Sequence, residues 1–174
     1  MNPVDITLYG IVDPARSRGR SLAEMAKLSV ENGVTLVQYR DKNSDTNAMV
    51  TRTREIKTAL ESTGVPLIVN DRVDVALAVG AAGVHLGQQD MSVHDARNLL
   101  GKEAIIGLSV KTIEEAKACP VEIIDYAFVG GVFTTQSKNN PTAIGIDGWM
   151  ERANIIKNLD PNVPVGAIAG IDET

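Results

Sequence analysis

An α/β fold, its parallel strands curled into a (β/α)8 barrel, is what this sequence predicts, and three observations predict it. Short strand-forming runs alternate with helical patterns along the chain. The strand runs are continuously apolar, as in parallel strands covered by helices. Each run ends in polar residues or glycine: Asp13, Arg40 to Lys42, Asn70 and Asp71, Gln88 to Asp90, Ser109, Thr134 to Lys138, and Gly170. A doubly wound open sheet gathers its site at one switch point, whereas a barrel draws on the ends of all its strands. So many polar strand ends favour the barrel.

The elements follow in order. ITLYGIV (6–12) is the first strand, and SLAEMAKLSVEN (21–32) the first helix. Ser21 and Glu24 are spaced as a capping box, and Gly33 stops the helix. VTLVQYR (34–40) is the second strand, and a helix over 45–63 ends before Gly64 and Pro66. PLIVND (66–71) and GVHLGQ (83–88) are the third and fourth strands. A helix over 92–100 lies between Ser92 and Gly101, and AIIGLS (104–109) follows. Thr112 and Glu115 cap a helix reaching about residue 118, before DYAFVGGVF (125–133). Asp147 precedes the helix WMERANIIKNL, which Asp160 and Pro161 end; VPVGAIAGI (163–171) is the seventh strand. No linker or low-complexity segment divides the chain, so residues 1–174 read as one barrel domain. Barrels of this kind typically reach ~250 residues and seldom fewer than ~200. The eighth β/α unit is therefore missing from these 174 residues and is expected beyond Thr174.

Composition narrows the function. Hydrophobic residues make up 44% and charged residues 22%, with a net charge of −5. That balance gives no general attraction to nucleic acid or to an anionic membrane surface. Cys119 is the single cysteine, which excludes an intrachain disulfide framework and suits a reducing compartment. MNPVDITLYGIVD has no basic segment followed by a long apolar run, so no secretory leader is expected. No apolar stretch is long enough for a membrane span. A cytoplasmic protein is expected, with a homo-oligomer possible.

The chemistry begins in LVQYRDKN (36–43). Alternate side chains of a strand share a face, so Gln38, Arg40 and Lys42 point one way and Tyr39 and Asp41 the other. An amide, a guanidinium and an ammonium on one face call for an anion opposite. Asp71 and Asp90 end adjacent strands, close enough to share a small hard cation; the plainer alternative is that each caps the helix after it. With Arg40, Lys42, Ser109 and Lys138 around them, the set describes a metal-diphosphate site. The alternative for Arg40 and Lys42 is an ion pair with a neighbouring aspartate. His85, inside GVHLG, reads as a satisfied interior histidine rather than a metal ligand, and His94 as a surface residue. Arg16, Arg18 and Arg20 belong to the first loop on the same face.

The series QYRDK, VNDRVDVA, GVHLGQQD, GLSV and GVFTTQSK, in this order and spacing, resembles the thiamine-phosphate synthase family. The resemblance implies a (β/α)8 transferase. It joins 4-amino-2-methyl-5-hydroxymethylpyrimidine diphosphate to a thiazole phosphate and releases diphosphate. It implies Mg²⁺ held by Asp71 and Asp90, and diphosphate contacts, with catalytic roles, from Arg40, Lys42, Ser109 and Lys138. Asn70 would join the diphosphate contacts, Gln38 and Thr135 would touch the pyrimidine, and Ser137 would contribute from the same loop as Lys138. Gly170 would offer its backbone N–H to the thiazole phosphate. The family's strand-7 run is commonly G-x-G-G-I, and here the run is Gly166-Ala167-Ile168-Ala169-Gly170-Ile171, with Ala169 the small change. Two other readings are a thiazole tautomerase-like paralogue, which acts on the thiazole alone, and a non-catalytic regulator that binds thiamine phosphate.

Overall fold

The computed structural model describes residues 4–134 and 143–171. Its strands are β1 (Tyr9–Val12), β2 (Leu36–Tyr39), β3 (Leu67–Asn70), β4 (Gly83–Leu86), β5 (Ile105–Val110), β6 (Tyr126–Gly130) and β7 (Val165–Ile168). They form one sheet in sequential order, and every neighbouring pair is parallel. The helices are α1 (Leu22–Glu31), α2 (Thr46–Leu60), α3 (Val73–Val79), α4 (Val93–Leu100), α5 (Ile113–Lys117) and α6 (Gly145–Leu159). Side chains from every strand line one cavity on the concave face, which requires the sheet to curl. The fold is TIM-barrel-like. Among the described residues the sheet has seven strands and is open between β1 and β7, so the closed eight-stranded barrel is not what they form. No described helix is long and apolar enough to cross a membrane.

Period-two alternation divides the core in two. Val37, Tyr39, Leu67, Val69, Ala127 and Val129 pack outward in the layer that meets the helices. Leu36, Ile68, Tyr126 and Phe128, from the intervening positions, meet on the concave side. Both faces of the strands thus carry apolar residues, which is why their sequences are mostly apolar rather than alternating. The concave layer depends on Gly107: a Cβ there would lie 2.1 Å from the Tyr126 ring. Only a residue without a side chain leaves room for that phenol.

The helix ends follow local rules, with two corrections. Ser21, Asp45, Ser92 and Thr112 each accept a backbone N–H at a helix start. The reciprocal capping box forms at Thr112 and Glu115. Helix α6 starts at Gly145 rather than after Asp147, which sits in its first turn, where a carboxylate favours the positive end of the helix dipole. Helix α3 was not singled out by pattern: VDVALAV is short, almost wholly apolar and without a side-chain cap. The strands are shorter than the apolar runs, because the outer residues of each run turn away into loops. Beyond β6 the chain continues to follow β7, with Gly131, Val132 and Phe133 donating N–H groups to the Ile168 and Ala169 carbonyls.

Candidate active site

The strand ends converge as parallel pairing requires. Gln38, Arg40, Lys42, Asn70, Asp71, Asp90, Ser109 and Gly170 all line the same concave cavity of about 1580 Å³. Thr135, Ser137 and Lys138 lie outside the described residues.

The cations leaving β2 already have carboxylate partners. Arg40 Nη1 lies 2.6 Å from Asp13 Oδ2, and Lys42 Nζ pairs with Asp71. Asp13 is buried and also accepts the Ala15 N–H, starting the 3-10 turn Pro14–Arg16. The ion-pair alternative for Arg40 and Lys42 is therefore present in the structure. Both side chains still line the cavity, so an anion arriving there meets cations held in place. Asp13 was not named as a site residue from sequence, although its position at a polar strand end is the signal that could have found it.

On the other face of the same segment, Asp41 is almost fully buried. It accepts from Tyr39 Oη at 2.8 Å, from Arg52 Nη1 at 2.8 Å, and from the backbone N–H groups of Asn43 and Ser44 at 3.1 Å each. Burial alone would raise the carboxyl. The Tyr39 hydroxyl and the Asn43 and Ser44 donors outweigh burial and hold it down at about 2. This clamp fixes the loop that carries Arg40 and Lys42.

Asp71 and Asp90 are not helix caps. The position before α3 is Arg72, which makes no side-chain cap, and the cap of α4 is Ser92. Asp71 adopts φ +61°, a left-handed conformation that aspartate tolerates better than most residues. Asp90 Oδ2 accepts the Gly87 N–H at 2.7 Å. Burial raises the Asp90 carboxyl; the Gly87 N–H opposes this, and nearby Asp71 adds to it. A second carboxylate this close to Asp90 makes the pair suited to sharing a cation. Among the described residues no group of three or more histidine, cysteine or carboxylate side chains converges as a metal cage. Next to this pair, Asn70 Nδ2 is buried with no hydrogen-bond acceptor among the described residues. Such a donor is costly to bury unpaired and finds its use with a ligand acceptor.

Strand β4 contributes His85, buried as an interior histidine should be. Its Nε2 lies 2.8 Å from Ser109 Oγ and its Nδ1 3.1 Å from Tyr126 Oη. Tyr126 Oη is 3.0 Å from Tyr9 Oη, which accepts from Gln38 Nε2 at 2.7 Å. A chain of five polar side chains therefore crosses the concave face from Gln38 to Ser109. The tyrosines were missed from sequence because each reads as an ordinary strand residue.

At β7, Ala169 has φ +92° and Gly170 φ +68°. A Cβ on Gly170 would stand 2.3 Å from the Thr134 carbonyl oxygen, so that position requires glycine. Ala169 takes a backbone conformation that favours glycine.

Comparison with known proteins bears on the family and the fold. The family model described as thiamine monophosphate synthase matches residues 8–174. A thiamine-phosphate synthase of Agrobacterium fabrum is 49% identical over 99% of this chain and 79% of its own length. One from Clostridium tetani is 37% identical over 98% of this chain and 79% of its own length. The solved structure of a thiamine phosphate pyrophosphorylase from Pyrococcus furiosus superposes with a TM-score of 0.77 at 32% identity, covering 94% of this chain and 75% of that one. A family model spanning residues 8–174, and relatives 37–49% identical over nearly the whole chain, show that this protein belongs to the thiamine monophosphate synthase family.

Proposed function

We propose that this protein is a transferase that joins 4-amino-2-methyl-5-hydroxymethylpyrimidine diphosphate to 4-methyl-5-(2-phosphoethyl)thiazole, giving thiamine phosphate and diphosphate. The observation that carries the reading is the Asn70 amide, a buried donor without an acceptor, beside Lys42 and the Asp71 and Asp90 pair. A diphosphate supplies the acceptor oxygens that the Asn70 amide lacks, and its charge would be met by Lys42 and by a cation held at Asp71 and Asp90.

In the reaction the pyrimidine methylene C–O bond breaks and its electron pair leaves on diphosphate. The thiazole nitrogen then donates its lone pair to the methylene carbon. No proton is transferred at the reacting atoms, so no catalytic base is required. Arg40, Lys42 and Asn70 stabilise the charge growing on the leaving group, and Ser109 adds a hydroxyl donor. Gln38 faces the pyrimidine. Thr135, Ser137 and Lys138 complete the pyrimidine and diphosphate contacts, and the Gly170 N–H holds the thiazole phosphate. Asp71 and Asp90 would hold Mg²⁺, which when bound neutralises diphosphate charge. We further propose an eighth β/α unit closing the gap between β1 and β7, and a reducing cytoplasmic setting that suits the buried thiol of Cys119.

The test measures diphosphate release from the purified protein with both substrates and Mg²⁺, with each component omitted in turn. Release only from the complete mixture is expected. Asp90→Asn keeps an oxygen for the Gly87 N–H but removes the charge, so activity should fall strongly while the melting temperature stays close to wild type. Full-rate release in EDTA would remove the metal from the reading. Conversion of a thiazole substrate alone, with no diphosphate release, would point instead to the tautomerase chemistry.

A further inference from the structure

The chain of side chains from Gln38 to Ser109 has a direction. It has four links: Gln38 to Tyr9, Tyr9 to Tyr126, Tyr126 to His85, and His85 to Ser109. Each hydroxyl has one hydrogen to donate, and a neutral imidazole has one N–H. With a neutral His85 ring, two arrangements make all four links and leave no buried donor idle. In one, Gln38 donates to Tyr9, Tyr9 to Tyr126, Tyr126 to His85 Nδ1, and His85 Nε2–H to Ser109. Gln38 then keeps its amide oxygen, and Ser109 its hydrogen, for the cavity. In the other every donor is reversed, and the cavity meets the Gln38 NH₂ and the Ser109 lone pairs.

The surroundings select the first. Ser109 shares its cavity with Lys42 and with the unpartnered Asn70 donor, so an anion is the ligand this region accepts. Lone pairs of Ser109 turned toward an anion would repel it. Tyr126 is the link on which the direction turns. It is fully buried and lies in space that Gly107 leaves open, since a Cβ there would come within 2.3 Å of its hydroxyl oxygen. Burial pushes the Tyr9 and Tyr126 hydroxyls above their ordinary range, so both remain donors.

We propose that Tyr126 is a positioning residue: its hydroxyl locks His85 as the Nε2–H tautomer, which commits the Ser109 hydrogen to an anionic ligand oxygen and the Gln38 oxygen to a ligand donor. The site is thereby built for a ligand with a hydrogen-bond donor at one end and phosphate oxygens at the other. This deepens the transferase reading above and rests on it only for the identity of that ligand.

Nitrogen NMR of the ¹⁵N-histidine-labelled protein tests the proposal without any turnover. The chain has two histidines, and His94→Gln assigns the signals. In the wild type, with inorganic diphosphate and Mg²⁺, His85 should carry its proton on Nε2 and leave Nδ1 as an acceptor. Tyr126→Phe should let both tautomers populate and weaken inorganic diphosphate binding about three- to tenfold, the effect of one misdirected hydrogen bond. A wild-type Nδ1–H tautomer overturns the proposal, and so does Tyr126→Phe with wild-type tautomer or diphosphate affinity. Should Tyr126→Phe fail to fold, the wild-type tautomer decides alone. A correct tautomer in a protein that does not release diphosphate from its substrates would sink the transferase reading and leave the relay standing.

Discussion

Replacing Asp41 with asparagine should weaken the fold in a pH-dependent way, and the structure sets the size of the effect. The Asp41 carboxylate is buried and receives hydrogen bonds from Tyr39, Arg52, Asn43 and Ser44. Those donors hold its pKa at about 2. An unfolded aspartate titrates near ~3.9, so the difference corresponds to roughly 2.6 kcal/mol of folding free energy. Because the folded pKa is depressed, this stabilisation is complete well above pH ~4 and disappears as pH falls through the folded value; about half remains near pH 3. Urea unfolding of wild type and Asp41→Asn at pH 7 and pH 3 measures it. The variant should be weaker by about 2–3 kcal/mol at pH 7, and the gap should roughly halve at pH 3. A gap under ~0.5 kcal/mol at pH 7, the size expected of an unremarkable surface change, would refute the reasoning. So would a gap of equal size at both pH values.

Three further outcomes are expected. Arg40→Lys preserves the charge facing Asp13 but loses the planar fork that can grip two phosphate oxygens, so titration of pyrimidine diphosphate should show about ten- to hundredfold weaker binding with little change in melting temperature. Unchanged affinity would confine Arg40 to its ion pair with Asp13. Ala169→Gly relieves a side chain held at φ +92° and should stabilise the fold by about 1 kcal/mol in urea unfolding; a loss of stability would show that the Ala169 methyl makes a packing contact worth more than the strain. Gly107→Ala forces a Cβ against the Tyr126 ring and should destabilise by ~1–3 kcal/mol; near-neutral behaviour in the same assay would mean that Tyr126 can occupy another position.

The sequence by itself determined the elements and the polar ends of the strands. Apolar runs, caps such as Ser92 and Thr112, and stops such as Gly101 act within one turn or one strand, so they are readable locally. Alternation placed Gln38, Arg40 and Lys42 on one face and Asp41 on the other, and the cavity and the Asp41 clamp follow that division. Local pattern read less well where local signal was weak, as in the uncapped helix α3. The partners of those side chains were decided by tertiary structure alone. Asp13 is 27 residues from Arg40, and Tyr9 is 117 residues from Tyr126. Nothing in either tyrosine's neighbourhood in the sequence marks it as a link in a polar chain. The physical reason is that parallel pairing β1 to β7 carries distant residues onto the same concave face. Hydrogen-bond direction is then a property of the completed chain, since each donor's choice depends on its neighbour's. The sequence names the donors and acceptors, but only the curled sheet settles which of them meet.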